Sequence, residues 1–404
     1  MKYIVILADG MADYPVDELG GKTPMQVAHK PNIDSLAAKS EVGVAYNVPE
    51  SLSPGSDVAN LSAMGYDPLK CYTGRSPLEA VSMGIDIKST DMIFRCNVVN
   101  ITEDEQNYED KIITDHSADE ISTEEARELI LAVAEAFSDD KFSFYPGVSY
   151  RHALVWDNGP DEFDLTPPHD VLERRVGDYL PKGINGAPLA EMMKKSYDIL
   201  NEHPVNLARA ARGLKKANSI WIWGEGRKPS LENFESLHGI KGSVISAVDL
   251  IKGIGICAGL DSIDVEGATG NIHTNFDGKA RACLDAITSG SDYVFVHMEA
   301  PDECGHRGEA DNKVKSIELI DKEILGYMMN ELDKAGEHYK ILLTPDHPTP
   351  ISARTHTLDA VPFVIYKSNQ KRKGNIEVYD EKSGYEGGVY LEDGYKLMDL
   401  FLKV

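Results

Sequence analysis

Short runs of consecutive apolar residues, each bounded by Asp, Gly or Pro, recur along this 404-residue chain. Runs of this length without alternation predict buried parallel strands. They are Tyr3–Ala8, Ser219–Trp223, Ser243–Val248, Tyr293–Met298, Lys340–Thr344 and Val361–Tyr366. Amphipathic stretches of helix length lie between the later runs, over Asn275–Thr288 and Lys313–Ala335. This alternation predicts an α/β fold in which helices cover both faces of a doubly wound, mostly parallel sheet.

The pattern changes between about Phe94 and Ala217. This interval contains a helix over Thr123–Phe137, a loop-rich block, and a second helix near Ala190–Asn201. It predicts an inserted α+β domain. We therefore expect residues 1–93 and 218–404 to form the sheet domain and residues 94–217 to form the insertion, with each boundary placed to within about 20 residues.

The chain is acidic, with 41 Lys and Arg against 66 Asp and Glu and a net charge of −25. This balance argues against nucleic-acid binding and against docking on anionic membranes, because both depend on basic residues. The five cysteines are scattered, and the first apolar run is too short for a signal peptide or a membrane span. We expect a cytoplasmic protein with no nucleic-acid or membrane partner; the sequence leaves the oligomeric state open.

Acidic residues follow three of the predicted strands. Asp9 comes directly after the first strand, Asp302 follows the strand that ends at Met298, and Asp346 follows the strand that ends at Thr344. In open α/β sheets, ligand sites lie beyond the carboxyl ends of the strands. A lone Asp in such a place is usually a turn or helix-cap residue, but three of them predict a shared site.

Three histidines accompany these carboxylates. His306 lies four residues after Asp302, so both can face one ion across a helical turn. His347 is adjacent to Asp346, and His356 lies just before the last strand. A lone His is usually a core or surface residue, but carboxylates and imidazoles that converge on one sheet edge predict a site for divalent Mn, Zn, Co or Mg.

Ser56 lies in the stretch Pro54-Gly55-Ser56-Asp57, at the predicted start of an amphipathic helix. One interpretation is a helix N-cap, the commonest role of a serine in such a place. The other is a nucleophile, which a metal would have to activate because no serine–histidine–aspartate order or nucleophile elbow accompanies it.

Several basic residues lie beside a glycine or a turn, where they could bind phosphate or carboxylate. The strongest candidate is Arg151, at the start of the apolar run His152–Trp156 within the predicted insertion. For any one of these residues, a surface cation is the simpler interpretation.

A set of motifs spans almost the whole chain. They are Ile6-Leu7-Ala8-Asp9-Gly10, Pro54-Gly55-Ser56-Asp57-Val58-Ala59, Tyr72-Thr73-Gly74-Arg75, Trp221-Ile222-Trp223-Gly224, Gly267-Ala268-Thr269-Gly270, Pro301-Asp302-Glu303-Cys304-Gly305-His306, Asp346-His347-Pro348-Thr349-Pro350, and His356 with Asp359-Ala360-Val361-Pro362-Phe363. In this set and order the chain resembles the archaeal-type cofactor-independent phosphoglycerate mutases, a branch of the alkaline phosphatase superfamily. The resemblance implies an alkaline-phosphatase-like sheet domain and an inserted domain that closes over it.

The resemblance also implies two divalent metal ions, Mn, Co, Zn or Mg, and a small anionic phosphorylated substrate. By similarity, one ion would be held by Asp302, His306 and His356. The other would be held by Asp9, Ser56, Asp346 and His347. Ser56 would also be the residue that is phosphorylated.

The implied reaction interconverts 3-phosphoglycerate and 2-phosphoglycerate through a phosphoserine, as a step of glycolysis that does not need 2,3-bisphosphoglycerate. Arg151, and with it His152 and Asp170, would contact the substrate or transfer protons. An alternative is a phosphotransferase that acts on homoserine or a similar hydroxyl compound. Ser149-Tyr150-Arg151-His152 and Pro167-Pro168-His169-Asp170 resemble a bacterial subgroup proposed to act in that way, and Asn60 stands where relatives commonly have His.

Overall fold

The computed structural model describes residues 1–370, 373–374 and 376–403. The residues it describes separate into two compact units. The larger unit combines both ends of the chain, Met1–Tyr72 and Ser230–Val404, and the smaller unit is the continuous segment Thr73–Pro229. The junctions thus lie 21 residues before and 12 residues after the boundaries expected at 93/94 and 217/218.

The strands are numbered along the chain. They are β1 (Lys2–Ala8), β2 (Glu41–Ala45), β3 (Met92–Ile101), β4 (Ile113–Asp115), β5 (Phe142–Tyr145), β6 (Arg151–Trp156), β7 (Ser219–Gly226), β8 (Gly242–Ile245), β9 (Asp261–Ile263), β10 (Tyr293–Met298), β11 (Tyr339–Thr344), β12 (Val361–Lys367) and β13 (Val389–Leu391). The strands of the larger unit form one sheet, in the order β13-β2-β12-β11-β1-β10-β8-β9.

Strand β1 lies between β10 and β11 and runs parallel to both. Leu7 is opposite His297 on one side and opposite Thr344 on the other. The three strands therefore end at the same level. The side chains that follow them emerge together at one edge of the sheet.

Strand β12 runs antiparallel to β11 and to β2, so the expectation of a parallel strand over Val361–Tyr366 is wrong. A parallel return needs a crossover connection, usually a helix. The described segment 345–360 contains no helix. The chain therefore turns at the edge where β11 ends, and β12 starts from that same edge.

The helices are also numbered along the chain. They are α1 (Pro24–Val27), α2 (Pro31–Ala37), α3 (Ser56–Ala63), α4 (Pro68–Cys71), α5 (Ser76–Ser82), α6 (Thr123–Phe137), α7 (Gly183–Leu200), α8 (Pro204–Ala211), α9 (Phe234–His238), α10 (Asp249–Cys257), α11 (Phe276–Thr288), α12 (Ala300–Arg307), α13 (Ala310–Leu319), α14 (Tyr327–Ala335), α15 (Glu381–Glu386) and α16 (Lys396–Lys403). A π-helical segment, Ile320–Gly326, joins α13 to α14. In the part of the chain that the structure describes, four 3-10 turns occur, at Asp17–Leu19, Tyr108–Asp110, Pro168–Asp170 and Val176–Asp178. No helix among the described residues combines the length and the apolar character that a membrane crossing requires.

Helices cover both faces of the large sheet. Alternate residues of a strand point to opposite faces. Ile4 of β1 packs in a buried cluster with Phe276 of α11 and Ile317 of α13. Tyr3 points to the other face, where its ring meets Phe401 of α16 edge to face at 5.8 Å. The prediction of a doubly wound α/β fold with a mostly parallel sheet is confirmed.

The smaller unit has its own sheet, in which β3 pairs with β4, β6 and β7, and β5 pairs with β6. Every one of these pairings is antiparallel. The run Ser219–Trp223 therefore belongs to this sheet, as β7, and its assignment to the parallel sheet is wrong. Helices α6 and α7 cover the sheet with buried residues such as Leu129 and Leu189, which share a core with Trp221.

Candidate metal centre

Three buried carboxylates lie at the carboxyl-end edge of the large sheet. Asp9 is the first residue after β1, Asp346 is the second after β11, and Asp302 lies in the first turn of α12, close behind β10. Their exposed fractions are 1%, 1% and 5%. Burying a carboxylate costs free energy unless it is paired or binds a cation. Three buried carboxylates at one edge therefore indicate that positive partners or a bound cation compensate their charge.

Asp9, Asp346 and His347 form the first group of potential ligands, with donor atoms within 4.8 Å of one another. Nε2 of His347 lies 3.7 Å from Oδ1 of Asp9 and 3.4 Å from Oδ2 of Asp346. Ser56 Oγ lies 3.3 Å from the same nitrogen. The structure thus places the serine hydroxyl beside this group.

The second group surrounds Asp302. Nε2 of His306 lies 3.4 Å from its Oδ2, and Nε2 of His356 lies 3.4 Å from its Oδ1. His347 and His356 also share a set with Asp302 in which donor atoms lie within 4.8 Å, and their rings are 3.9 Å apart. His347 therefore faces both groups.

Two glycines allow these elements to approach closely. Gly10 has φ +61°, and a Cβ there would lie 2.6 Å from Cα of Asp302. A Cβ on Gly305, between Asp302 and His306 on α12, would collide with the carbonyl oxygen of Thr349. The backbone of α12 therefore touches the segments that follow β1 and β11.

Ser56 is the first residue of α3, and Gly55 is its N-cap. The N-cap interpretation of Ser56 is therefore wrong, because the capping residue has a non-helical backbone and lies one position earlier. Asp57 holds this helix start in place. Its Oδ1 accepts the Val58 amide at 2.9 Å, and its Oδ2 accepts the Tyr72 hydroxyl at 2.8 Å.

The pKa values of Asp9 and Asp302 are shifted in opposite directions. Burial raises the pKa of Asp9 well above its usual value, and the charges of Asp346 and Asp302 raise it further. Burial acts in the same direction on Asp302, but hydrogen bonds from His306 and His356 outweigh it, and the pKa of Asp302 lies well below its usual value. A cation beside Asp9 would relieve the repulsion among these carboxylates.

The donor set fits a divalent cation. Oδ1 of Asp9 is buried and has no hydrogen-bond partner among the residues that the structure describes. Such an atom costs free energy unless a ligand takes it up. Carboxylate oxygens and imidazole nitrogens without sulfur are typical ligands of Mn²⁺, Co²⁺, Zn²⁺ and, for the oxygens, Mg²⁺.

Two polar residues beside the centre were not predicted as functional residues. Asn60 donates from Nδ2 to Oδ2 of Asp346 at 2.8 Å and to the carbonyl of Ser56 at 2.9 Å. The Thr349 hydroxyl donates to Oδ1 of Asp302 at 2.5 Å. Asn60 lies one helical turn after Ser56, and this spacing is the signal that could have identified it.

Asp170, from the predicted site set, lies in the smaller unit and is exposed. Its carboxylate is 3.7 Å from Nε2 of His169. The His169 ring in turn contacts Trp223 at 5.3 Å and His116 at 6.2 Å. His116 and Trp223 were not predicted as site residues, because no spacing connects them to Asp170; their rings form an aromatic cluster with that of His169, the neighbour of Asp170 in sequence.

Arg151 and His152 are neighbours on β6 but face different surroundings. Arg151 is exposed, whereas His152 is 3% exposed. Nδ1 of His152 accepts the Gly147 amide at 3.0 Å, and burial lowers the pKa of the ring to about 3. Arg151 is thus accessible to a ligand, while the ring of His152 is enclosed and neutral.

The protein thus has an α/β fold with a candidate divalent-metal centre, in which a serine hydroxyl lies beside clustered carboxylates and imidazoles. Comparison with known proteins then specifies its family. A family model described as 2,3-bisphosphoglycerate-independent phosphoglycerate mutase matches residues 37–206. A curated protein of Geobacter sulfurreducens, named "Probable 2,3-bisphosphoglycerate-independent phosphoglycerate mutase", is 49% identical over 402 residues, with 100% of both chains covered.

Two solved structures are similar over almost the whole chain. One is a protein of Pyrococcus horikoshii, with a TM-score of 0.82 and 27% identity over 99% of this chain and 96% of that one. The other is the cofactor-independent phosphoglycerate mutase of Thermoplasma acidophilum, with a TM-score of 0.69 and 27% identity over 100% and 99% of the chains. This chain belongs to the family of 2,3-bisphosphoglycerate-independent phosphoglycerate mutases, in its archaeal-type branch.

Proposed function

We propose that this chain interconverts 3-phosphoglycerate and 2-phosphoglycerate through a phosphoserine on Ser56, without 2,3-bisphosphoglycerate. The observation that carries the proposal is the 3.3 Å distance between Ser56 Oγ and His347 Nε2, which puts a hydroxyl next to the buried carboxylates. The names of the curated relatives support the same reaction. These names give no support to the homoserine alternative.

The proposed centre holds two divalent cations. One would be bound by Asp302, His306 and His356. The other would be bound by Asp9, Ser56, Asp346 and His347. When bound, the cations supply positive charge that stabilises the transferring phosphoryl group and lowers the pKa of the serine hydroxyl.

The chemistry of the chain itself is a double displacement at Ser56. In the first half, Ser56 Oγ loses its proton and forms a bond to phosphorus, while the bond from phosphorus to the C3 oxygen of 3-phosphoglycerate breaks and that oxygen gains a proton. In the second half, the C2 hydroxyl of the retained glycerate takes the phosphoryl group and loses its proton, and Ser56 regains one. The N-terminal end of α3 favours the negative charge that develops at Ser56.

The smaller unit is proposed to bind the substrate and to exclude water, so that the phosphoserine is not hydrolysed and glycerate does not escape. Arg151 would pair with the carboxylate or phosphate of the substrate, since its guanidinium is exposed. Asp170, exposed beside His169, would contact a hydroxyl group. His152 was expected to contact the substrate or transfer protons; its enclosed ring, which accepts the Gly147 amide, favours a structural role in this proposal.

A cytoplasmic, glycolytic setting is part of the proposal. The five cysteines, Cys71, Cys96, Cys257, Cys283 and Cys304, form no disulfide with one another in the structure. Thiols in this state are typical of reducing compartments.

The test is conversion of 3-phosphoglycerate followed directly by ³¹P NMR, which needs no coupling enzyme with a metal requirement of its own. The purified chain would be stripped of metal, reloaded separately with Mn²⁺, Co²⁺, Zn²⁺ or Mg²⁺, and assayed without 2,3-bisphosphoglycerate. We expect 2-phosphoglycerate with at least one metal. Ser56→Ala should lower the rate by about a thousandfold or more.

Ser53→Ala is the matched control, because Ser53 is an exposed serine of the same loop. It should retain the wild-type rate. A folded chain that converts no 3-phosphoglycerate with any of the four metals would overturn the proposal. Consumption of ATP that strictly requires homoserine would replace it with the phosphotransferase alternative.

A further inference from the structure

His297 connects the candidate metal centre to the interior of the sheet. It is the fifth residue of β10 and has an exposed fraction of 0%. Its Nε2 lies 2.8 Å from Oδ2 of Asp9, and its Nδ1 lies 3.1 Å from Oγ of Ser246, just beyond β8. One imidazole thus joins a buried carboxylate to a buried hydroxyl.

The hydrogen-bond network determines which nitrogen carries the proton. An ionised Asp9 carboxylate can only accept, so its 2.8 Å contact with Nε2 places the hydrogen on that nitrogen. Ser246 Oγ accepts the Val248 amide at 3.0 Å and has its own hydroxyl proton to donate to Nδ1 of His297. Nδ1 is then an acceptor, and Nε2 carries the hydrogen. This assignment makes His297 a donor to Asp9, and Ser246 fixes the orientation of the ring.

The consequence for Asp9 is that its two oxygens differ. Oδ2 is held by the imidazole, whereas Oδ1 has no hydrogen-bond partner among the described residues and lies on the side of His347. Asp346, in contrast, receives the backbone amides of Gly10 and His347. The two amides hold Oδ1 of Asp346 and the Asn60 side chain holds Oδ2, whereas Oδ2 of Asp9 is held by the imidazole of His297.

We propose that His297 is a positioning residue for Asp9: it holds Oδ2 so that Oδ1 is directed at the metal, and Ser246 holds His297. The inference rests on the proposed function, because it assigns the orientation of one proposed metal ligand. Hydrogen bonds to a metal-binding carboxylate fix its direction, and their loss typically lowers metal affinity by about 10–100-fold.

Two substitutions of His297 separate hydrogen bonding from packing. His297→Gln places an amide N–H close to the position of Nε2, whereas His297→Leu fills similar space without a donor. The full chain would be stripped of metal and titrated with Co²⁺ alone, and binding would be followed by visible absorption. We expect affinity about 10–100-fold weaker in His297→Leu and within about threefold of wild type in His297→Gln.

Ser246→Ala and Ser243→Ala form a matched pair of buried serine substitutions. Ser243 bonds to Ser291 at 2.8 Å, away from His297. Ser246→Ala should weaken Co²⁺ binding and Ser243→Ala should not. If His297→Leu fails to fold, this pair still tests whether the hydrogen bond between Ser246 and His297 affects metal affinity. Thermal melts of the metal-free variants report any general loss of packing.

Wild-type Co²⁺ affinity in His297→Leu, or in Ser246→Ala if His297→Leu cannot be purified, would overturn the inference while leaving the proposed function intact. Equal losses of affinity in His297→Gln and His297→Leu, matched by equal losses of metal-free stability, would also overturn it in favour of simple packing. A wild-type chain that takes up no Co²⁺ would overturn the proposed metal centre and the inference together.

Discussion

Nε2 of His306 lies 2.9 Å from Nε2 of His356, although the two residues are 50 positions apart in the chain. Both nitrogens also lie 3.4 Å from the carboxylate of Asp302. Two imidazoles that direct the same nitrogen at one another can serve as a pair of ligands once both are neutral.

His306→Ala and His356→Ala should each remove about one equivalent of bound metal and lower mutase activity by about a hundredfold or more, because each deletes a ligand of the same proposed ion. Metal content would be measured by elemental analysis after gel filtration. His338→Ala is the control, since His338 is exposed and precedes β11, at the opposite edge of the sheet. Retention of both metal equivalents in either ligand variant would contradict the assignment.

A buried ion pair supports the loops of the centre. Lys313 of α13 donates to Oδ2 of Asp13 at 2.7 Å and to the carbonyl of Thr349 at 2.8 Å, and both charged side chains have an exposed fraction of 0%. Lys313→Met should lower the free energy of unfolding by about 3–5 kcal/mol, because it leaves the Asp13 carboxylate buried without its cation. Urea denaturation would measure the change.

The double variant Lys313→Met, Asp13→Asn should recover part of that loss, because no unpaired charge remains. Lys315→Met is the control: Lys315 is exposed, and its contact with Glu318 is 3.6 Å long. That change should stay within about 0.5 kcal/mol. Equal destabilisation by the two lysine substitutions would show that the buried ion pair contributes no more to the free energy of unfolding than the exposed contact does.

Arg151→Ala should impair catalysis without impairing folding. The side chain is exposed, so its removal should leave the melting temperature nearly unchanged. The KM for 3-phosphoglycerate should rise about tenfold or more, and Arg151→Lys should recover only part of the loss, because lysine cannot form a bidentate pair. Initial rates across substrate concentration would separate KM from kcat. Arg174→Ala, another exposed arginine of the same unit, should behave as wild type; if Arg151→Ala does too, the substrate role is excluded.

His152 predicts a pH dependence of stability. Burial lowers the pKa of its ring to about 3 in the folded chain, whereas an unfolded histidine has a pKa near 6.5. Between these values the unfolded state binds the additional proton, so this residue makes stability fall as the pH decreases from about 6.5 towards 3. His152→Asn removes the titrating ring but retains an acceptor for the Gly147 amide.

Melting temperatures at pH 5 and pH 7.5 would check this prediction. The variant should lose less stability than the wild type on going from pH 7.5 to pH 5, even if its stability at pH 7.5 is lower because of the smaller side chain. A difference between the two proteins that is the same at both pH values would show that His152 takes up its proton equally well in both states.

The strands of the fold could be located from the sequence better than they could be assigned to sheets. Continuous apolar runs identify β1 and β10, because a strand that is buried on both faces has apolar residues at successive positions instead of alternating with polar ones. The same signal occurs in β7 and β12. An apolar run does not specify the partner or the direction of a strand, because both depend on the connections. The runs of β7 and β12 therefore do not reveal that β7 pairs within the smaller sheet or that β12 is antiparallel.

The position of His356 illustrates this limit. In a wholly parallel sheet, a residue that precedes a strand lies at the edge opposite the carboxyl ends. His356 reaches Asp302 because β12 is antiparallel and starts at the site. His297 shows a signal that could have been used, since a histidine inside a buried apolar strand needs a polar partner.

Gly10 and Gly305 leave main chain against main chain where α12 meets the segments after β1 and β11. At both positions, backbone and side-chain atoms of Asp302 or Thr349 lie closer than a Cβ could tolerate, so these close contacts set the interval between the acidic residues. Alanine is the smallest possible replacement and already collides at both positions, so a mutation of either glycine changes the spacing of the acidic residues abruptly.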